Sequence, residues 1–143
     1  GGAAQRVVKD FVKTMVRGKE MEVLTAGGGT AGCLVGLDRT LAALSIRRAG
    51  KKDSKKRVVP LEDVAEIRVG AEAATDVDLE LDGMCVTLLL VDGQAVAFRH
   101  PDQEGRDTFA LCLSLFVDGR KAEVEKRRGR RERSRGKDVE GVT

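Results

Sequence analysis

The feature that most restricts the fold of this chain is a series of short segments, between Lys19 and Arg99, in which apolar and polar residues alternate. A period of two is typical of β-strands that bury one face. Turn-forming residues separate the segments, so seven short strands are predicted. Their predicted bounds are 19–25, 33–37, 41–48, 56–59, 64–69, 84–91 and 95–99. The Asp92-Gly93 pair between the last two segments predicts a hairpin with a type I′ turn.

A helix is predicted on each side of these strands. Residues 5–17 place apolar side chains every three or four positions, and Gly18 is suited to end an amphipathic helix there. Such a helix either docks on the sheet or remains available to a partner or a membrane surface; we expect docking, because the sheet needs apolar cover. Residues 106–117 carry an unusually wide apolar face, which suits a helix that closes the open end of a sheet.

The length of 143 residues suffices for one compact domain. We expect residues 1–4 to be a disordered start and residues 5–120 to form the domain. Residues 121–143 are highly charged and contain no aromatic residue, so we expect a disordered tail. The longest apolar runs, such as residues 86–91, are too short to cross a bilayer, and no secretory signal is visible.

Few residues in the chain have the chemistry of a catalytic site. The single histidine, His100, has no visible acid or base partner, and we expect it at the surface. The three cysteines, Cys33, Cys85 and Cys112, lie apart in apolar segments, which indicates buried, reduced thiols of a cytosolic protein rather than a disulfide framework or a zinc site. The glycine-rich residues 26–32 precede a strand, whereas a phosphate loop precedes a helix. We therefore predict no enzyme, no metal and no cofactor.

Charge is distributed unevenly along the chain. Residues 47–57 are strongly basic, whereas residues 62–82 contain eight acidic residues and one basic residue. Residues 121–143 hold nine Lys or Arg residues against five Asp or Glu residues. A basic tail favours non-specific binding to nucleic-acid phosphates. Because glutamates are interspersed and aromatic stacking residues are missing, we interpret this tail as a solubilising extension and do not expect nucleic acid as a partner.

Seven strands followed by a closing helix is the element order of pleckstrin homology (PH) domains. Residues 60–70 (PLEDVAEIRVG) resemble a stretch of the PH domain of phosphoinositide-specific phospholipase C, and residues 11–18 and 97–101 are similar to other parts of that domain. The resemblance covers about residues 8–120 and places Phe109 where PH domains carry a characteristic tryptophan. It implies a mainly β fold: a seven-stranded, two-sheet, partly open barrel that a C-terminal helix caps, with an extra N-terminal helix.

The resemblance also implies a lipid site, but the residues at that site argue against it. PH domains that bind phosphoinositides carry Lys or Arg on their first two strands. The matching positions here are Val23, Thr25, Thr30 and Cys33, none of which is basic. Each charge-assisted phosphate contact is worth about 1.5–3 kcal/mol, so we expect no tight headgroup binding at this degenerate pocket. The remaining candidates for lipid or phosphate binding are Arg47, Arg48, Lys51, Lys52, Lys55 and Lys56.

This combination is similar to the inner membrane complex sub-compartment proteins of apicomplexan parasites. Those proteins are small, have PH-like domains without the lipid pocket and follow an acylated N-terminal segment. The resemblance implies a non-catalytic interaction or scaffold module with an unidentified protein partner. It would act in cell division and daughter assembly at the cytoplasmic face of that membrane, anchored by myristate and palmitate outside this chain. The acylated PH proteins of the same parasites, which bind phosphatidic acid, are a second resemblance and imply direct phospholipid binding.

Two surfaces are candidates for the partner. One is the loop of residues 26–32 together with the neighbouring basic loop of residues 47–57. The other is the exposed edge of the sheet, where an extended peptide adds as a further strand. The basic loop would also add about 1 kcal/mol of membrane affinity for each Lys or Arg near an anionic surface. The alternative is that this loop is only a solvated turn.

Overall fold

The computed structural model describes residues 2–51, 55–71, 79 and 81–140, with residues 135–140 described by their backbone alone. The predicted mainly β class is confirmed, and the seven predicted strands lie within three residues of their expected bounds. The elements are α1 (Gly2–Arg17), β1 (Lys19–Leu24), β2 (Thr30–Leu37), β3 (Ala43–Arg48), β4 (Arg57–Pro60), a 3-10 turn (Leu61–Asp63), β5 (Val64–Val69), β6 (Cys85–Leu90), β7 (Ala95–Arg99) and α2 (Gln103–Glu140). Residues 72–78 and 80, between β5 and β6, lie outside the described residues.

The strands form one antiparallel sheet in the order β4-β3-β2-β1-β7-β6-β5. β1 joins the two halves of the sheet, and its backbone pairing with β7 consists of the pairs Glu22–Arg99 and Val23–Phe98. The sheet is not closed, because β4 and β5 are its two edges. α2 packs against the turn between these edges, where Arg120 Nε lies 3.3 Å from Glu62 Oε2. The predicted partly open arrangement is therefore confirmed, with its two halves continuous through β1 and β7.

The core lies between the inner face of the sheet and the two helices. Side chains alternate along a strand, so β2 buries Cys33, Val35 and Leu37 and turns Leu34 and Gly36 outward. α1 buries Phe11 and Met15, which confirms the predicted docking of this helix. α2 adds the buried residues Phe109, Ala110, Cys112, Leu113 and Val117. Helices and sheet therefore share one continuous hydrophobic core.

Phe109 is the centre of an aromatic cluster that joins both helices to the sheet. Its ring centroid lies 5.1 Å from that of Phe98 in β7 and 6.2 Å from that of Phe11 in α1. Phe11 in turn stacks on Phe116 at 6.1 Å. Offset and edge-on ring pairs of this kind add to the free energy gained from burial. Phe109 is 2% exposed, so it contributes its whole side chain to the core.

α2 extends far beyond the predicted bounds of 106–117. It begins after Asp102, whose Oδ1 accepts the N–H of Gly105 at 2.7 Å, and it continues to Glu140. Residues after 120 bury little, which is why the sequence predicted a disordered tail. They are nevertheless mostly Glu, Lys and Arg, which favour helix, and Arg127 pairs with Glu123 one turn earlier at 2.9 Å. The docked part of α2 is an existing helical nucleus, from which each further residue adds a hydrogen bond.

Two other local predictions differ from the structure. Gly2 to Ala4, predicted as a disordered start, form the first turn of α1. The turn between β6 and β7 is not type I′, because that turn needs positive φ at both central residues and only Gly93 has it. Instead, the N–H of Gly93 donates to the Leu90 carbonyl at 3.0 Å, and Gln94 pairs with Leu90. This is the three-residue hairpin loop that ends in a left-handed glycine.

Replacing Phe109 with alanine is expected to lower the free energy of unfolding by about 3–5 kcal/mol, since the cavity left behind lies at the junction of both helices with the sheet. Urea denaturation followed by far-ultraviolet circular dichroism measures the change. The matched control is Leu111→Ala on the same helix, at a side chain that is 62% exposed, where the expected change is about 0.5 kcal/mol or less. Similar losses in the two variants would contradict a central role for Phe109.

Candidate functional site

The four positions matched to the phosphoinositide site carry no positive charge in the structure. Val23 lies within β1, and Thr30 is the exposed first residue of β2. The Thr25 hydroxyl donates to the carbonyl of Gly29 at 3.1 Å, so it is engaged within its own loop. Cys33 is buried, and burial raises the pKa of its thiol. These four positions of β1, β2 and the loop between them therefore offer no side-chain cation to a phosphate.

The five described basic candidates are not all brought together into one site. Arg47 and Arg48 are neighbours in the chain, but strand alternation directs them to opposite faces of the sheet. Arg48 lies opposite Cys33, whose side chain is buried, whereas Arg47 lies opposite Leu34 on the outer face. Three lysines, Lys51, Lys55 and Lys56, are exposed around the loop between β3 and β4. Lys52 lies outside the described residues.

A groove of about 530 Å³ runs along the outer face of β2, β3 and β4, beside the last turn of α1. We call it the outer groove. Gly36 allows the last turn of α1 to lie close to β2, because a Cβ at that position would lie 3.0 Å from the carbonyl oxygen of Met15. The residues that line the outer groove include Val16, Arg17, Leu34, Gly36, Asp38, Ser45, Arg47, Lys56 and Val58. Arg17, Leu34 and Val58 were not among the predicted site residues. Apolar residues at the outward positions of two strands are a signal that points to Leu34 and Val58, and no such signal points to Arg17.

Asp38 is the one carboxylate among the described residues that line the outer groove, and the hydrogen bonds of its own turn already engage it. Its Oδ1 accepts the N–H groups of Ala42 at 2.7 Å and Ala43 at 3.2 Å, and its Oδ2 accepts the Thr40 hydroxyl at 2.9 Å. Partial burial acts to raise the pKa of Asp38, but these hydrogen bonds outweigh it and hold the pKa below its usual value. The carboxylate therefore stabilises the turn before β3, and the described lining, with three basic residues, stays net positive.

Comparison with solved structures identifies the architecture. Inner Membrane Complex Sub-compartment Protein 1 (ISP1) from Toxoplasma gondii superposes with a TM-score of 0.67 at 20% identity, over 79% of this chain and 92% of that chain. Sub-compartment Protein 3 (ISP3) from the same organism gives 0.63 at 21% identity, over 82% and 87%. The PH domain from PfAPH gives 0.58 at 15% identity, over 81% and 92%. The chain has a pleckstrin homology fold.

The similarity to other PH domains lies in the fold. No protein-family model matches the chain, and no curated protein matches it by sequence. In the part of this PH domain that the structure describes, no three His, Cys, Asp or Glu side chains are arranged to hold a metal ion. Neither of its described helices combines the length and apolarity that crossing a bilayer requires. The three cysteines are free and buried, as predicted.

His100 of the PH domain is buried, which corrects the prediction of a surface histidine. It is 5% exposed, because α2 begins just after it and folds Phe109 back onto its ring at 4.9 Å between centroids. Its Nε2 is buried and has no hydrogen-bond partner among the described residues. Burial, and then the positive charges of Lys19 and Arg106, lower its pKa, while Asp102 opposes the shift. The neutral imidazole lines a cavity of about 420 Å³ between α1, β1 and the start of α2.

Acid is expected to weaken the PH domain through His100 before its carboxylates titrate. A buried histidine whose folded pKa lies below its usual value of 6.5 binds its proton more readily in the unfolded chain. The contribution of His100 to stability is therefore fully present above about pH 7 and is lost as pH decreases through about 6.5, with a slope of at most about 1.4 kcal/mol per pH unit. Urea denaturation of the chain and of His100→Gln between about pH 7 and pH 5 measures this slope. The variant should lack it; an equal slope in both proteins would exclude His100 as the cause.

Proposed function

We propose that this PH domain is a non-catalytic protein-interaction module with a degenerate phosphoinositide pocket. It acts at the cytoplasmic face of the inner membrane complex of an apicomplexan parasite, in cell division and daughter assembly. Myristate and palmitate on an N-terminal segment outside this chain anchor it there. The observation that carries the proposal is that no Lys or Arg occurs between Lys19 and Arg39, so β2 and the loop before it contain no cation and β1 contains one only at its start.

Two further observations support this proposal. The hydroxyl of Thr25, which follows β1, donates to a carbonyl of its own loop, and the Cys33 side chain of β2 is buried. Removing three or four charge-assisted contacts, each worth about 1.5–3 kcal/mol, leaves too little free energy for tight headgroup recognition. ISP1 and ISP3, whose folds this chain shares, are described as inner membrane complex sub-compartment proteins, and that description motivates the membrane location.

Direct phospholipid binding through the region between β3 and β4 is the second candidate function. It is favoured by exposed basic side chains described there, which include Arg47, Arg48, Lys51, Lys55 and Lys56. Charges of this kind add about 1 kcal/mol each near an anionic membrane. The opposite directions of Arg47 and Arg48 weigh against a grip on one headgroup, which this alternative requires.

Co-sedimentation with liposomes distinguishes the two functions. The vesicles are neutral, or contain phosphatidic acid or a phosphoinositide at matched total charge, in about 0.1 M and 0.5 M NaCl. We expect weak binding to both anionic vesicles at low salt that is lost at high salt, because screening removes exposed charge interactions. The variant Lys51→Glu/Lys55→Glu should lose this weak binding, and Lys126→Glu/Arg130→Glu on α2 controls for total charge.

Salt-resistant binding to one headgroup would reject the interaction-module proposal and establish the phospholipid-binding alternative. Binding that is equal for both anionic vesicles and disappears at high salt supports the degenerate pocket. The acylated form of the protein is not needed for this comparison, because it asks only whether the PH domain itself recognises a headgroup.

A further inference from the structure

We propose that the outer groove is a docking site for a partner protein, which occupies it with a segment that combines apolar and acidic side chains. This inference rests on the proposed interaction function and names the surface and the chemistry of the partner. The groove is distinct from the mouth between β1 and β2, because it lies on the outer face of β2, β3 and β4. It is also distinct from the free sheet edges that the sequence suggested.

The floor of the outer groove is apolar where a sheet face turned to solvent is usually polar. Leu34 and Val58 point outward from β2 and β4, and Ser45 and Gly36 between them are small enough to leave a depression. Val58 is 52% exposed, and Val16 at the end of α1 is 36% exposed. An occupant with apolar side chains would remove these surfaces from water, which is favourable in proportion to the area covered.

The rim of the outer groove is basic. Arg17 belongs to α1, Arg47 to β3, and Lys56 to the loop before β4, so three separate segments each contribute a basic residue to the lining of one depression. None of the three forms an ion pair with a described acidic residue. Asp38 forms no ion pair with them, because its oxygens accept the N–H groups and hydroxyl of its own turn, and three cations against one carboxylate leave the described lining net positive. Complementary charge therefore selects a segment that carries carboxylates.

The combination of floor and rim favours a protein over a membrane. A charged membrane surface is flat, so it would contact the rim and leave the groove, of about 530 Å³, unfilled above its apolar floor. A peptide segment fills a concave site with its apolar side chains while its carboxylates reach the cations. α1 forms one wall of the groove, so a partner would contact elements on both sides of Gly18 and recognise the helix in its docked position.

Peptide display on the full chain tests the proposal, with a random library as the probe. Selected peptides are synthesised, and their affinities are measured by isothermal titration for the chain and for folded variants. Val58→Asp alters the floor, and Arg47→Glu/Lys56→Glu reverses the rim. Leu115→Asp is the matched control for the floor, because Leu115 on α2 is 51% exposed. Lys126→Glu/Arg130→Glu controls for charge. Circular dichroism confirms that each variant is folded, which is expected because the altered side chains are exposed.

We expect the selected peptides to combine acidic and apolar residues. Val58→Asp and the rim variant should each weaken their binding at least tenfold, and the two controls should leave it within about twofold. Selection on the rim variant should yield basic instead of acidic peptides. That inversion is the most specific outcome, because loss of folding cannot produce it.

Selection of no peptides, or of peptides whose binding is unchanged in both groove variants, would overturn the outer-groove proposal. Groove-independent peptides would leave the interaction-module function standing on another surface. Loss of anionic-vesicle binding in the rim variant, without any groove-dependent peptide, would assign the rim to a membrane and also overturn the proposal. Salt-resistant, headgroup-specific vesicle binding is the separate result that removes the proposed function itself.

Discussion

The packing of Phe109 at the open end of the sheet is the contact on which the rest of this domain depends. Phe109 joins α2 to Phe98 of the sheet and to Phe11 of α1, so one side chain excludes water from the contact among three elements. α1 buries only Phe11 and Met15, and the first of these rests directly on this cluster. The last turn of α1 is also one wall of the outer groove. The aromatic contact therefore connects the stability of the core to the shape of an external surface.

Strand register decides which basic and apolar side chains face the outer groove. Because side chains alternate along a strand, the consecutive residues Arg47 and Arg48 face different environments, and one joins Leu34 on the outer face while the other lies opposite the buried Cys33. A shift of one residue would exchange them. The same alternation sets Val58 outward beside Val59, which is buried. The basic stretch of residues 47–57 is therefore divided: Arg47 and Lys56 line the groove, and Arg48 faces the other side of the sheet.

Most of the fold was accessible from the sequence because it depends on local patterns. β5 and β7 have their predicted bounds, and α1 ends before Gly18, which has a φ of 96°. The differences have physical causes. α2 continues through a charged segment, because a docked helix already supplies the nucleus that a free peptide lacks. The hairpin loop before β7 uses one left-handed residue instead of two. His100, which follows β7, is buried by Phe109 of α2, a residue beyond the range of any local pattern.

The sequence by itself determined the strand pattern, the docking face of α1, and the absence of cations between Lys19 and Arg39. Each of these depends on residue types within a short stretch of the chain, so they can be read from the sequence without knowing the tertiary contacts. Only the tertiary structure decided that Arg17, Arg47 and Lys56 surround one groove, and that His100 lies beneath Phe109. Those contacts join residues far apart in the chain, and they follow from strand register and helix docking, which no local pattern encodes.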